Sequence, residues 1–158
     1  MAIQVGDAIP AVTIKATDMS DVRTDELFRG KKVVLFAVTG AFTPTCSDQH
    51  LPGFVAHADA IRAKGVDDII CVSVNDAHVM EAWGREHEIG EAVRLVADGN
   101  GDFAKALGLY FDGSMIGFGL RYQRFAAIVD DGIVIRLDVE DGPAFDVSSA
   151  ESIVAALG

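Results

Sequence analysis

The 158 residues are 50% hydrophobic and carry 24 acidic against 13 basic side chains, a net charge of −11. That length and composition predict a single folded domain over residues 1–158 with a sizeable core, and the acidic balance argues against nucleic acid or an anionic membrane as partner, because phosphate recognition needs a basic footprint. The sequence has no basic leader followed by an apolar run and no eighteen-residue apolar stretch, and Cys46 and Cys71 are too few for a disulfide framework or a metal cluster, so a reducing, cytoplasmic setting with no metal and no cofactor is expected.

In chain order, residues 12–16 predict an edge strand, Thr24-Asp25-Glu26-Leu27 a helical turn, and the β-branched run 33–38 a central strand. Residues 47–64 predict the first long helix, since Leu51, Phe54, Val55, Ala58 and Ile61 share one face; Pro52 should bend it and Lys64-Gly65 close it. Residues 68–74 read as the next central strand. Residues 76–87 read as the second helix, capped by Asn75-Asp76, with Val79, Ala82 and Trp83 facing inward. A strand at 94–97 and a short helix at 103–107 follow, the latter after the turn Asp98-Gly99-Asn100-Gly101. Residues 125–129 and 133–139 flank Asp130-Asp131-Gly132, a hairpin signal, and Ser148 should cap a terminal helix containing Ile153, Val154 and Leu157. A βαβ unit followed by a hairpin and a covering helix is the plan of an α/β, thioredoxin-like fold, a central mixed β-sheet flanked by helices.

Cys46 lies where the apolar strand gives way to the helical run, inside Thr39-Gly40-Ala41-Phe42-Thr43-Pro44-Thr45-Cys46-Ser47. A cysteine there sits near unpaired N–H groups and the positive end of a helix, and both favour thiolate over thiol. Thr43, Thr45 and Ser47 surround it with hydroxyls, while Gly40 and Pro44 restrict the loop, which sets it apart from a cysteine that only fills space. Thr43 occupies the place where the second thiol of a Cys-x-x-Cys disulfide exchanger would stand. A thiolate without such a partner suits a reaction in which sulfur itself is oxidised: attack on a peroxide O–O bond gives a sulfenic acid and expels hydroxide or alkoxide, and the site then needs fixed donors along the developing charge. Arg121 and Arg124 are candidates for that donor.

The segment from Thr39 to Ser47, followed by His50-Leu51-Pro52-Gly53-Phe54, resembles the active-site signature of peroxiredoxins, in particular the atypical group with plant type II and mammalian type five members. The likeness continues through Ser73-Val74-Asn75-Asp76, Glu81-Ala82-Trp83-Gly84, Arg94-Leu95-Val96-Ala97-Asp98 and Arg121-Tyr122-Gln123-Arg124-Phe125 to Asp131-Gly132. It implies that Cys46 is the peroxidatic cysteine, that the Thr43 hydroxyl contacts peroxide, that Arg124 is the active-site arginine, and that Pro44 shields the thiolate. Gly40, Phe42, His50 and Arg121 are implied as supporting residues. Thr39 stands where the family usually has proline, a departure at the start of the loop.

Cys71 lies within the apolar run 68–74 and reads as a buried packing residue. The resemblance agrees: relatives that form an internal disulfide carry a resolving cysteine nearer the C-terminus, and 142–158 has none, so no resolving cysteine is expected. It implies reduction by an external thiol, glutathione with glutaredoxin or else thioredoxin. A general-base role for His50 in a cysteine hydrolase, a metal role for His78 and His87, and a magnesium role for Asp130-Asp131 are all weaker readings. The stretch 110–120 mixes apolar and loop-forming residues, and Phe111, Met115 and Phe118 call for cover; in similar proteins this region and the Phe42 loop contribute to a homodimer. The reading is a peroxidase for hydrogen peroxide and small alkyl hydroperoxides, with a noncatalytic thioredoxin-fold redox sensor or binding protein as the alternative.

Overall fold

The computed structural model describes residues 2–158. Strands β1 (Thr13–Ala16) and β2 (Asp21–Arg23), helix α1 (Thr24–Leu27) and strand β3 (Lys32–Ala37) come first. They are followed by a π turn at Cys46–His50, α2 (Leu51–Ala63), β4 (Asp68–Ser73), α3 (Ala77–Glu86), β5 (Arg94–Ala97) and α4 (Asp102–Leu107). The chain ends with β6 (Tyr110–Asp112), a 3₁₀ turn at Ser114–Ile116, β7 (Leu120–Tyr122), β8 (Phe125–Asp130), β9 (Ile133–Val139) and α5 (Ala150–Leu157). Seven strands form one mixed sheet in the order β2-β1-β5-β4-β3-β8-β9, while β6 and β7 pair separately. This is the thioredoxin-like architecture expected.

β3 shows how the sheet divides the core. Val34, Phe36 and Val38 point to one face, where Leu51, Phe54, Ala58 and Ile61 of α2, Met80 and Trp83 of α3 and Ile153 of α5 cover them. Val33, Leu35 and Ala37 point to the other, against Leu27, Phe103, Leu107 and Ile14. After Lys32 the strand is apolar at every position, which is what burial on both faces demands. β3 pairs parallel with β4 and antiparallel with β8, and the second register sets Ala37 opposite Phe125. The end of β3 and the start of β8 therefore meet at one edge of the sheet.

Several local expectations are corrected. β1 is not an edge strand, because the unforeseen three-residue β2 pairs outside it. Helical backbone begins at Pro44, the first-turn position that a missing N–H tolerates, so Cys46 lies within the first turn instead of before it. Pro52 does not bend a regular helix. The turn before it widens, with the Leu51 N–H donating to the Cys46 carbonyl, and Pro52, which cannot donate to the turn behind it, stands second in α2. Asp76 alone caps α3, accepting from the Val79 N–H, and the buried face is Ala77, Met80, Trp83 and Gly84, with Val79 and Ala82 at its margin. Ser149 caps α5, accepting from the Ser152 N–H, whereas Ser148 is buried and engaged elsewhere. The stretch 110–120 is the β6–β7 hairpin with Met115 fully exposed at its tip. The Asp131-Gly132 turn has positive φ at both residues, 48° and 80°, as a two-residue hairpin loop requires.

Candidate active site

The site forms at that sheet edge. The chain leaves β3, crosses loop 39–43 and enters the helical turn carrying Cys46, while Arg124 arrives from the residue before β8. Cys46 is completely buried. Arg124 Nη2 donates to its Sγ at 2.9 Å across 78 residues of sequence. Arg124 Nη1 donates to His50 Nδ1 at 2.8 Å, and the guanidinium lies 5.8 Å from the Phe145 ring centre. Arg124 is itself only 7% exposed, and among the described residues no carboxylate lies within salt-bridge distance of it. A buried guanidinium cannot shed its proton. The sulfur in contact with it is thus placed to serve as its counter-charge, an arrangement suited to a thiolate.

The loop is held from three directions. The Thr43 hydroxyl donates to the Gly40 carbonyl at 2.6 Å, which commits its proton and leaves its lone pairs as acceptors. Asn75 Oδ1 accepts the Ala41 N–H at 3.0 Å and the Ser73 hydroxyl at 2.5 Å. Arg121 does not reach the sulfur: it donates to the Thr39 carbonyl at 3.2 Å and the Phe118 carbonyl at 2.9 Å and lies over the Phe118 ring. A Cβ on Gly40 would come within 2.6 Å of Arg121 Nη1, so a side chain there would push the end of Arg121 off the Thr39 carbonyl. Phe42 is 54% exposed at φ 64°, a conformation that costs a residue with a side chain about 1 kcal/mol or more. Pro44 is exposed beside it.

His50 is fully buried, and both ring nitrogens are engaged, Nε2 with the Ser148 carbonyl at 2.9 Å and Nδ1 with Arg124. Burial, aided by the Arg124 charge, pushes its pKa down to about 3. A neutral ring with no free nitrogen is a poor general base, which counts against the hydrolase reading. Cys71 lies in mid β4 with Phe36 and Leu95 opposite it, and burial pushes its thiol well above the usual cysteine range. His78 and His87 belong to no metal-binding group: among the described residues no three His, Cys, Asp or Glu side chains gather to hold a metal ion. No described helix is long and apolar enough to cross a membrane.

Sequence reasoning passed over Asn75 as a loop anchor, Ser47 as the acceptor of the Trp83 indole N–H at 3.0 Å, and the group Glu140, Phe145 and Ser148 behind His50. A signal for Glu140 did exist: an acidic residue closing a strand that turns out to be partly buried. A cavity of about 370 Å³ opens beside Arg124, with Phe111, Ile116, Phe118 and Pro143 among its walls.

The model of the Redoxin family matches residues 4–154. Peroxiredoxin-2E, chloroplastic, of Arabidopsis thaliana is 49% identical, with 99% of this chain and 70% of that protein covered. Peroxiredoxin-2D of the same plant is 47% identical over 98% of both chains. Among solved structures, reduced Prx3 from Vibrio vulnificus in complex with hydrogen peroxide superposes with a TM-score of 0.95 at 52% identity over 99% of both chains.

Proposed function

The chain belongs to the peroxiredoxin family and is a thiol peroxidase, and from that premise we propose that Cys46 is the sulfur that peroxide oxidises, that Thr43 and Arg124 hold the peroxide, and that an external thiol completes the cycle. The observation that carries this reading is the 2.9 Å approach of Arg124 Nη2 to Cys46 Sγ. The Cys46 thiolate attacks one peroxide oxygen and the O–O bond breaks. Sulfur becomes a sulfenic acid, and the departing oxygen leaves as hydroxide or alkoxide and takes up a proton. Arg124 keeps its charge beside both the thiolate and the oxygen that gains charge, so it favours the transition state as well as the nucleophile. Thr43, with its proton on the Gly40 carbonyl, accepts from the peroxide O–H and aligns the O–O bond. His50 and Arg121 are positioning residues, the first behind Arg124 and the second behind the loop.

An external thiol attacks the sulfenic acid, releases water and leaves a mixed disulfide on Cys46; a second thiol then frees the cysteine. The buried, unionised Cys71 supports this over an internal disulfide. Glutathione with glutaredoxin, or thioredoxin, is the reductant proposed, in a reducing, cytoplasmic setting that suits two free cysteines. The apolar cavity beside Arg124 supports small alkyl hydroperoxides as substrates alongside hydrogen peroxide. A homodimer across the Phe42 loop and the β6–β7 hairpin is proposed from the exposure of Phe42, Met115 and Ile116. The test is steady-state consumption of hydrogen peroxide and of tert-butyl hydroperoxide with each reductant supplied in turn. Sustained turnover with one of them is expected, and oxidation that halts after one equivalent with all of them would sink the external-thiol scheme.

A further inference from the structure

Glu140 follows β9 directly and is 5% exposed, yet among the described residues no cationic side chain pairs with it. Its Oε2 atom instead accepts three hydrogen bonds, from the Asp146 N–H at 2.7 Å, the Ser148 N–H at 2.8 Å and the Ser148 hydroxyl at 2.6 Å. Three donors on one carboxylate oxygen draw residues 140–148 into a closed loop. The loop's far end returns to the active site. The Ser148 carbonyl meets His50 Nε2 at 2.9 Å, and the Phe145 ring lies 5.0 Å from the His50 ring and 5.8 Å from the Arg124 guanidinium. The Glu140 N–H also donates to the Arg124 carbonyl at 2.9 Å.

A carbonyl can only accept, so His50 Nε2 must carry a proton. Burial keeps the ring neutral, so Nδ1 is left with a lone pair. That lone pair takes Arg124 Nη1 at 2.8 Å, and the planar guanidinium then presents Nη2 to the Cys46 sulfur at 2.9 Å. If the Ser148 carbonyl moved away, the ring could carry its proton on Nδ1 instead, where it would confront an arginine N–H and turn the guanidinium aside.

We propose that Glu140 is a positioning residue for peroxide reduction: by closing the 140–148 loop it holds the Ser148 carbonyl on His50, locks the Nε2–H tautomer, and so aims Arg124 at the Cys46 sulfur. The inference rests on the reading above in which Cys46 and Arg124 perform the oxidation step. Glutamine at 140 can accept the same three donors through its amide oxygen, whereas alanine can accept none.

The test combines histidine ¹⁵N NMR of the full chain with stopped-flow oxidation of Cys46 by hydrogen peroxide. In the unmodified protein His50 should show one pattern, protonated Nε2 and bare Nδ1, throughout about pH 6 to 8. E140A should slow oxidation about tenfold and mix the two tautomers, and E140Q should recover most of the rate and the single pattern. Because Glu140 acts through Arg124, the double variant R124Q/E140A should be no slower than R124Q. An Nδ1-protonated or charged His50 in the unmodified protein overturns the inference without any variant, should E140A fail to fold. A folded E140A that oxidises at the unmodified rate while R124Q is slow overturns this inference alone, as does an E140A loss that adds in full to that of R124Q. R124Q oxidising at the unmodified rate overturns the catalytic reading and this inference with it.

Discussion

Cys46 and Cys71 are both completely buried, both free, and members of the same apolar cluster, yet their surroundings differ. Cys71 sits in mid-strand between β3 and β5, where the sheet uses every nearby backbone group and the neighbours across the register are Phe36 and Leu95. Burial pushes the thiol up, and the more distant Arg124 charge offsets this only in small part. Cys46 lies one loop beyond the end of β3, within the first turn of a helix and in contact with a buried guanidinium. Burial suppresses a thiol when its neighbours are apolar. Beside a fixed cation the same burial strengthens the field on the sulfur, because little water is present to screen it.

The largest expected effect comes from exchanging sulfur for oxygen at the two positions. C46S should lose turnover to background while folding normally, since a hydroxyl cannot become a sulfenic acid, and C71S should keep turnover. A folded C71S that loses turnover with the same reductant would give both cysteines a chemical role and end the contrast.

The arginine contact is the next test. R124Q should lower the second-order rate of Cys46 oxidation by roughly 10²–10³, measured at a pH high enough to ionise the thiol so that loss of transition-state stabilisation is read separately. R121Q should lose less, because its partners are the Thr39 and Phe118 carbonyls. The reverse ranking in two folded variants would transfer the direct role to Arg121.

His50 ties the site to acid stability. Its pKa is about 3 in the folded chain against 6.5 for the free side chain, so over that interval the unfolded chain binds the extra proton. Stability is therefore complete above pH 6.5 and is lost as pH falls, by about 1.4 kcal/mol per pH unit and on the order of 5 kcal/mol in all. Urea unfolding from pH 7 to 4 should show this slope flattened in H50Q; parallel profiles for the two proteins would refute it. Glu140, whose pKa its hydrogen bonds to Ser148 and Asp146 lower from the ordinary 4.5 against the opposing effect of burial, adds a loss that begins as pH falls through about 4.5 and so overlaps the lower part of the His50 interval.

T43V keeps the shape of the side chain but removes the lone pairs proposed to receive peroxide. One hydrogen bond between neutral partners, about 0.5–1.5 kcal/mol, corresponds to a roughly two- to tenfold slowing of oxidation with folding little changed. Stopped-flow oxidation at the unmodified rate would remove Thr43 from the group. The smallest effect on chemistry belongs to C71S, with an oxidation rate within about twofold and a stability cost of about 1–3 kcal/mol for burying a hydroxyl in an apolar strand. A larger rate change than stability change would mean that Cys71 communicates with Cys46.

Strands β3, β4, β5, β8 and β9 were legible within a residue or two because apolar runs bounded by turn residues are local signals. Asp131-Gly132 was legible because its backbone demands are local too. β2 escaped notice because Asp21-Val22-Arg23 has no apolar pattern and becomes a strand only by pairing with β1. The π turn escaped notice because helix periodicity from Leu51 onward says nothing about how the turn before Pro52 closes. Ser148 and Ser149 are equally good caps by residue type, and Glu140 decides between them by engaging Ser148.

Read as a chain, the residues determined that Cys46 lies between a strand and a helical run, that Cys71 lies inside a strand, and, through resemblance, which arginine to favour. They could not reveal that among the described residues Arg124 has no carboxylate partner, that His50 is pinned at both nitrogens, or that a carboxylate after β9 closes the loop behind it. Those relations join residues far apart in sequence, and they exist because the antiparallel register of β3 and β8 brings the end of one strand to the start of the other. Periodicity reports which side of an element is apolar; the partner of a buried charge depends on where the sheet sets two strand ends, and no local pattern encodes that distance.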